Sequence, residues 1–220
     1  MTTQASGDDP AILDTFLAAL DDGMPAAARP TTTRRIMPWV EATQTLNGIG
    51  PNQRGKYKSA YLRKPFPDEQ VAAIRAALTD PGYSNPQALL QVDTYGCRVN
   101  TVAPDATAVA QRSSIMKLQY QTYWTSPAQD QAHLDFLSGF YREVYAETGG
   151  VPEISDAGHD LGTDGAYVNY PDVDLGTTAD PAPLYPRLYY KQNYARLQLA
   201  KRIWDQQNVF HHAQSVVAPN

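Results

Sequence analysis

Apolar residues first recur at helical spacing near the start of the chain, where Ile12, Leu13, Phe16, Leu17 and Leu20 share one face. Asp9 stands at the N-cap position, Pro10 at the first helical position and Gly23 just past the end, so the stretch predicts a packing helix. RRIMPWVEATQTLN (34–47) reads as an irregular strand running into polar loop, and GKYKSAYL (55–62) alternates as a strand does. Pro67 opens a second helix on Val71, Ile74 and Leu78, which the turn residues of DPGYSNP (80–86) close. Three alternating segments follow, ALLQVDTYG, CRVNTVAP and SIMKLQYQTYW, and predict neighbouring antiparallel strands. From a capping-box start at Ser126, Pro127 and Gln129, the apolar positions Leu134, Leu137, Phe140, Tyr141 and Val144 predict the longest helix, which Gly149 and Gly150 end. Residues 151–165 read as loop, YVNY (167–170) as a short strand and 171–187 as linker. LYYKQNYARLQLAKRIWD then reads as the last helix and NVFHHAQSVVAPN as an irregular tail. The pattern predicts an α+β fold: an antiparallel sheet with its helices mainly on one face, and a C-terminal helical arm.

Composition narrows the function classes. With 220 residues, 42% of them hydrophobic and 19% charged, the chain can bury one core, or one and a small appendage. A net charge of −5, with lysines and arginines scattered, argues against a nucleic-acid or anionic-membrane partner. Single Cys97 excludes an internal disulfide framework. MTTQASGDDP has neither the basic nor the apolar region of a signal peptide, and no run is long and apolar enough to span a bilayer, so the compartment stays open between bacterial cytoplasm and secretion with a further N-terminal part.

Fourteen tyrosines stand against five phenylalanines. A buried phenol needs a hydrogen-bond partner, so some of these rings are expected to line a polar cavity and the rest a wet sheet surface. The usual catalytic signatures are missing: G-x-S-x-G, the P-loop, H-E-x-x-H and G-x-G-x-x-G. Gly48 and Gly50 are followed by Pro51 rather than by a helix, which disfavours a phosphate cradle. His211 and His212 point to opposite sides of an extended chain with no carboxylate or cysteine at ligand spacing, which favours tail packing over a metal. Asp172 and Asp174 have the look of paired acid–base carboxylates, but after Pro171 they fit turn and cap roles better. The tyrosines remain.

The C-terminal stretches YVNYPDVDL, YYKQNYARLQLAKRIWD and NVFHHAQS resemble the closing segment of FAD-linked oxidases of the berberine bridge enzyme type. Those oxidases tend to end with Y-x-N-Y-x-D-x-D-L, then Y-Y-x-x-N-Y-x-R-L, then N-x-F-x-x-x-Q-S, and this chain carries all three in order. Upstream, KSAY (58–61), TYGCRVN (94–100) and TAVAQR (107–112) are similar to the family's substrate-binding domain, most of all to actinobacterial members of the aclacinomycin oxidoreductase type. Cys97 stands where relatives tend to have a second glycine.

The resemblance implies a division at 165/166 into a partial substrate-binding domain (1–165) and the berberine-bridge-type segment (166–220). It also implies FAD held mainly by an N-terminal domain or partner subunit outside this chain, through a truncation, a split enzyme or a lost partner. The implied activity is oxidation of an alcohol on a glycosylated polyketide-like secondary metabolite. A carbohydrate oxidase and a flavin-free binding module are the alternatives, and homo- or hetero-oligomers are both open. A phenol can take the hydroxyl proton if a donor or a positive field favours its ionised form. Carried over residue by residue, the resemblance makes Tyr170 the general base, Tyr167 its neighbour at the flavin face, Asn169 a hydrogen-bonding group to the flavin ring and Tyr95 a second catalytic tyrosine. Asn193 and Tyr190 either reach toward the cofactor or cap the last helix. Strand alternation would point Tyr170 away from Tyr167 and Asn169 unless Pro171 or a bulge turns it.

Overall fold

The computed structural model describes residues 11–29, 31–46, 53–155 and 160–219. Asp9, Pro10, Gly48, Gly50, Pro51 and part of the loop expected before residue 165 lie outside the described residues. The chain divides into two units, Met1–Asn52 and Gln53–Asn220.

In the first unit, α1 (Ala11–Asp21) follows the predicted apolar period and ends at Gly23, whose φ of +74° is the left-handed stop a glycine provides. On its apolar face Ile12, Phe16 and Leu20 are exposed. The stretch read as an irregular strand instead contains helix α2 (Trp39–Leu46), which starts directly after Pro38. A proline before the first turn removes a donor that a helix start leaves unpaired in any case.

The second unit is built on a three-stranded antiparallel sheet of order β1-β3-β2, with β1 Arg54–Leu62, β2 Leu89–Thr94 and β3 Met116–Trp124. Helix α3 (Asp68–Leu78) joins β1 to β2, and α4 (Asp130–Val144) follows β3 after a 3-10 turn over Pro127–Gln129. Ser126 makes no side-chain cap there, in contrast to the expected capping box. CRVNTVAP is not a strand. Gly96 (φ +116°) and Cys97 (φ +51°) both take left-handed backbone, which turns Cys97–Thr101 into a 3-10 helix.

Alternation along β1 and β3 sorts their side chains. Ala60 pairs with Leu118, Lys58 with Tyr120 and Leu62 with Met116. On that face Ala60, Leu62, Leu118 and Tyr120 pack under Leu137, Phe140, Tyr141, Val144 and Tyr145 from α4 and the residue after it. Helix α3 adds Ala73, Ile74 and Ala77 at the rim, while Val71 and Leu78, expected inside, are exposed. The opposite face carries Tyr57, Ser59, Tyr61, Lys117, Gln119, Gln121 and Tyr123.

Residues 162–167 run along the outer edge of β1 without forming a strand. Tyr61 N–H donates to the Gly165 carbonyl and Asp164 N–H to the Tyr61 carbonyl, each at 2.8 Å. The 165/166 junction therefore lies inside the second unit. A second core gathers Ala166, Leu175, Tyr185, Leu188 and Tyr189. The helix expected over 188–205 is two helices, α5 (Tyr185–Tyr190) and α6 (Tyr194–Trp204), separated by a 3-10 turn that begins at Lys191 with φ +51°. The tail folds back: Gln214 Nε2 donates to the carbonyls of Asp172 and Gly176 at 2.7 Å each, and Tyr185 Oη donates to the Ser215 carbonyl at 2.7 Å. On the outside of α6 and the tail, Ile203, Trp204, Val209 and Phe210 are exposed.

Candidate active site

YVNY does not continue as a strand. Tyr170 N–H donates to the Tyr167 carbonyl at 3.1 Å, closing a turn directly before Pro171. Because the backbone reverses, the two phenol rings that alternation would separate meet edge to face, their centroids 5.2 Å apart at 88°. Tyr167 N–H donates to Ser59 Oγ at 2.8 Å, which moors the turn to β1.

Around this pair the face of the sheet opposite α4 supplies further rings. Tyr61 lies 5.0 Å from Tyr95 and 6.0 Å from Tyr167 between centroids; Tyr57 stacks near Tyr170 at 6.3 Å and meets Tyr123 edge-on at 5.6 Å. The three tyrosines singled out in the sequence, Tyr95, Tyr167 and Tyr170, thus belong to one cluster. Tyr57, Tyr61 and Tyr123 complete it and were not singled out, though Tyr57 and Tyr61 occupy alternate positions of one strand.

Lys117 is the other residue that sequence reasoning missed. From β3 its Nζ lies over the Tyr167 ring at 5.1 Å and over the Tyr170 ring at 5.5 Å. Asp93 on β2 holds it at 3.1 Å. Burial works against this ammonium, but the pairing with Asp93 and the nearby phenols outweighs it and lifts Lys117 above its ordinary range. Its positive charge therefore lies against the faces of both rings.

Two neighbouring phenols are pushed away from ionisation. Tyr95 Oη donates to the Gln111 carbonyl at 3.0 Å, and burial raises its titration even though Arg112 and Tyr61 oppose the change. Burial lifts Tyr61 well above the usual phenol range, with the neighbouring rings adding to the effect.

Asn169 is exposed, and its Nδ2 donates to Tyr167 Oη at 2.8 Å. Asn193 is buried, and its Nδ2 donates to the carbonyls of Pro104 and Thr107 at 2.7 and 3.0 Å; it makes no side-chain cap to α6. Tyr190 is half-buried and stacks on Tyr194 at 5.9 Å.

Asp172 and Asp174 do not face this cluster. The Asp172 carboxylate caps the 3-10 turn Val173–Leu175 by accepting from Asp174 N–H at 3.1 Å, in keeping with the turn role expected of it. Both carboxylates also pair with lysines of β1: Lys56 and Lys58 each reach Asp172 at 2.7 Å, and reach Asp174 at 3.0 and 2.6 Å. Ser138 Oγ of α4 donates to Asp174 at 2.7 Å. Nothing in the sequence alone joins a K-x-K on one strand to a D-x-D more than a hundred residues later.

Residues 166–217 match the family described as "Berberine and berberine like". Over 213 residues, 95% of the chain, the sequence is 40% identical to the aclacinomycin-N/aclacinomycin-A oxidase of Streptomyces galilaeus. Over 187 residues, 81% of the chain, it is 45% identical to the hexose oxidase of Chondrus crispus. These alignments take in 37% and 34% of the two relatives, so the chain spans little more than a third of their length. The crystal structure of CrmK, a flavoenzyme involved in shunt product recycling in caerulomycin biosynthesis, superposes with a TM-score of 0.85 at 40% identity, over 97% of this chain and 43% of that one. The chain is therefore similar to the C-terminal part of FAD-linked oxidases of the berberine bridge type, the aclacinomycin oxidoreductase type among them.

Proposed function

We propose that this chain forms the substrate wall and supplies the proton acceptor of an FAD-dependent oxidoreductase that oxidises an alcohol on a sugar-bearing secondary metabolite. The observation that carries the reading is the Lys117 ammonium poised over both Tyr167 and Tyr170. Likeness to the aclacinomycin oxidase supports the substrate class, and the 45% identity to a hexose oxidase favours a second reading, a free carbohydrate as substrate. Gln91, exposed on the same sheet face as Lys117, fits the hydroxyl-rich surface that both share.

The residues fit the ring end of FAD. An aromatic, polar face with the exposed amide of Asn169 at its edge suits a flat heterocycle that needs both stacking and hydrogen bonds. Asn169, Tyr167 and Tyr190 would meet the ring, whereas Asn193 ties α6 to the 104–107 loop through the Pro104 and Thr107 carbonyls. A domain or subunit outside this chain would hold the rest of the dinucleotide. When bound, FAD supplies the acceptor for the hydride that leaves the carbinol carbon.

This chain's part is to move the proton. Tyr170, beside Lys117, is the base that takes the proton from the substrate hydroxyl as the carbonyl forms. Tyr167 shares the field of Lys117 and accepts from Asn169, so its own oxygen is turned toward the same rim. Tyr95, held protonated by burial, donates rather than accepts and fixes the wall through Gln111. Asp93 keeps the ammonium over the rings instead of letting it extend to water.

The test is anaerobic mixing of the flavin-loaded protein with glycosylated polyketides and, separately, with free hexoses, while flavin absorbance is followed. Bleaching by a glycosylated polyketide supports the first reading and bleaching by hexoses alone the second. Stable flavin binding with no reduction by either class overturns both and leaves a binding module.

A further inference from the structure

The turn that carries Tyr167 and Tyr170 is bracketed by two buried aspartates. Three residues before Tyr167, Asp164 is 1% exposed; it accepts from Ser114 Oγ at 2.9 Å and pairs with Lys191 Nζ at 2.5 Å. Two residues after Tyr170, Asp172 is 2% exposed and sits between Lys56 and Lys58. Lys58 is itself 2% exposed, its Nζ 4.9 Å from the centre of the Tyr141 ring.

Gly165 and Ala166 tie the entry to the turn through Tyr61, Pro152 and Leu188, but from Tyr167 to Pro171 the backbone is fixed only by Tyr170 N–H donating to the Tyr167 carbonyl and by the contacts of Tyr167 N–H and carbonyl with Ser59 Oγ. Two lysines two positions apart on a strand stand about 7 Å from each other on one face. A carboxylate that takes one ammonium on each oxygen has a single place along that strand. Asp172 is held from other sides as well, its N–H donating to Tyr189 Oη at 3.0 Å and its carbonyl accepting from Gln214.

Buried ion pairs contribute little net stability compared with apolar groups of the same volume, because the charges lose their hydration; their better-attested use is to fix one arrangement among several. We propose that Asp172 and Lys58 are positioning residues: their buried ion pair sets where the 167–170 turn sits on β1, and so sets the Tyr170 ring relative to Tyr167 and Tyr57. The inference rests on the reading of Tyr170 and Tyr167 as the proton-handling pair, but the ring placement it claims is independent of activity.

The test uses the flavin-loaded protein carrying Lys58→Met with Asp172→Asn. This removes one buried charge of each sign, leaves Lys56 paired with Asp174 and keeps a capping oxygen at residue 172. The double variant is expected to melt close to the parent and to bind substrate with unchanged Kd, but to reduce its flavin about 10- to 100-fold more slowly, the loss typical of a small misplacement. Its crystal structure is expected to show the Tyr170 ring displaced from Tyr167 and Tyr57. Should the double variant fail to fold, Asp172→Asn alone takes its place in both measurements. Unmoved rings in the crystal, or moved rings with an unchanged reduction rate, overturn the proposal. If the parent is reduced by no alcohol, the functional reading fails, and the ring positions alone still decide whether the ion pair positions the turn.

Discussion

The ammonium of Lys117 lies 5.1 Å from the centre of the Tyr167 ring and comparably near Tyr170, joining the middle strand to a turn fifty residues later. The two phenols share one cation, so they need not contribute equally to proton transfer. Tyr170→Phe removes an oxygen and little volume. In the flavin-loaded protein the fold and flavin spectrum should persist while the single-turnover rate of flavin reduction falls by about 10²- to 10⁴-fold, the usual contribution of a general base. Tyr167→Phe and Tyr95→Phe should lose less. Normal reduction by Tyr170→Phe together with a severe loss in Tyr167→Phe would move the base to Tyr167.

Lys117→Met keeps a long side chain on the strand and deletes the charge. Its loss should slow single-turnover flavin reduction in the flavin-loaded protein while the substrate Kd stays near the parent value. A weakened Kd with an unchanged reduction rate at saturating substrate would assign Lys117 to substrate binding instead.

Much of this arrangement could be read from the sequence only in pieces. GKYKSAYL and SIMKLQYQTYW alternate over their full lengths and became β1 and β3, because a long period of two leaves little else for the chain to do. YVNY offers only four residues of the same signal before Pro171, and there the turn wins. CRVNTVAP also alternates, yet Gly96 and Cys97 adopt left-handed backbone and bend the chain out of the sheet; Gly96 was the available warning. The break at Lys191 had none, since no glycine or proline marks it; the pairing with Asp164 is long-range. Lys117 escaped notice for a related reason. A lysine on an alternating strand normally faces water, and only the tertiary fold brings Tyr167 and Tyr170 to it.

The four-charge cluster behind the turn gives the protein a defined response to acid. Although burial works against the Asp174 carboxylate, Lys58, Ser138 and Lys56 together depress its titration far below the ordinary carboxylate range. A carboxyl group depressed on folding stabilises the protein above its unfolded value, about 3.9, and that stability is lost as pH falls through the folded value. Lys56 is the mirror case: Asp172 and Asp174 overcome its burial and raise it, so its contribution is present at neutral pH and lost in strong alkali. Asp174→Asn should therefore lower Tm at pH 7, and the gap from the parent should narrow as the pH is taken below 4. A constant gap across that range would show that the carboxylate's charge is not what stabilises.

Gly165 sets how closely α5 approaches the edge of β1. Its φ of +84° is left-handed, and a Cβ built on it would stand 2.3 Å from the Leu188 carbonyl oxygen, a backbone atom that cannot rotate away. The same residue accepts from Tyr61 N–H through its carbonyl and donates its own N–H to the Pro152 carbonyl at 3.1 Å, while Ala166 N–H donates to the Leu188 carbonyl at 2.9 Å. Gly165→Ala must therefore strain the backbone, push α5 outward, or both, and should destabilise by roughly 2–4 kcal/mol, combining a left-handed penalty with overpacking. Because Gly165 lies two residues before Tyr167, the displacement should also reach the phenol pair. The variant that still folds at low temperature should bind flavin less tightly and reduce it more slowly. Denaturant melts of Gly165→Ala beside Gly149→Ala separate the two sources: Gly149 is also left-handed, at +78°, but a Cβ there meets nothing within 4 Å. If both variants lose the same stability, the close approach to Leu188 contributes nothing beyond the backbone term.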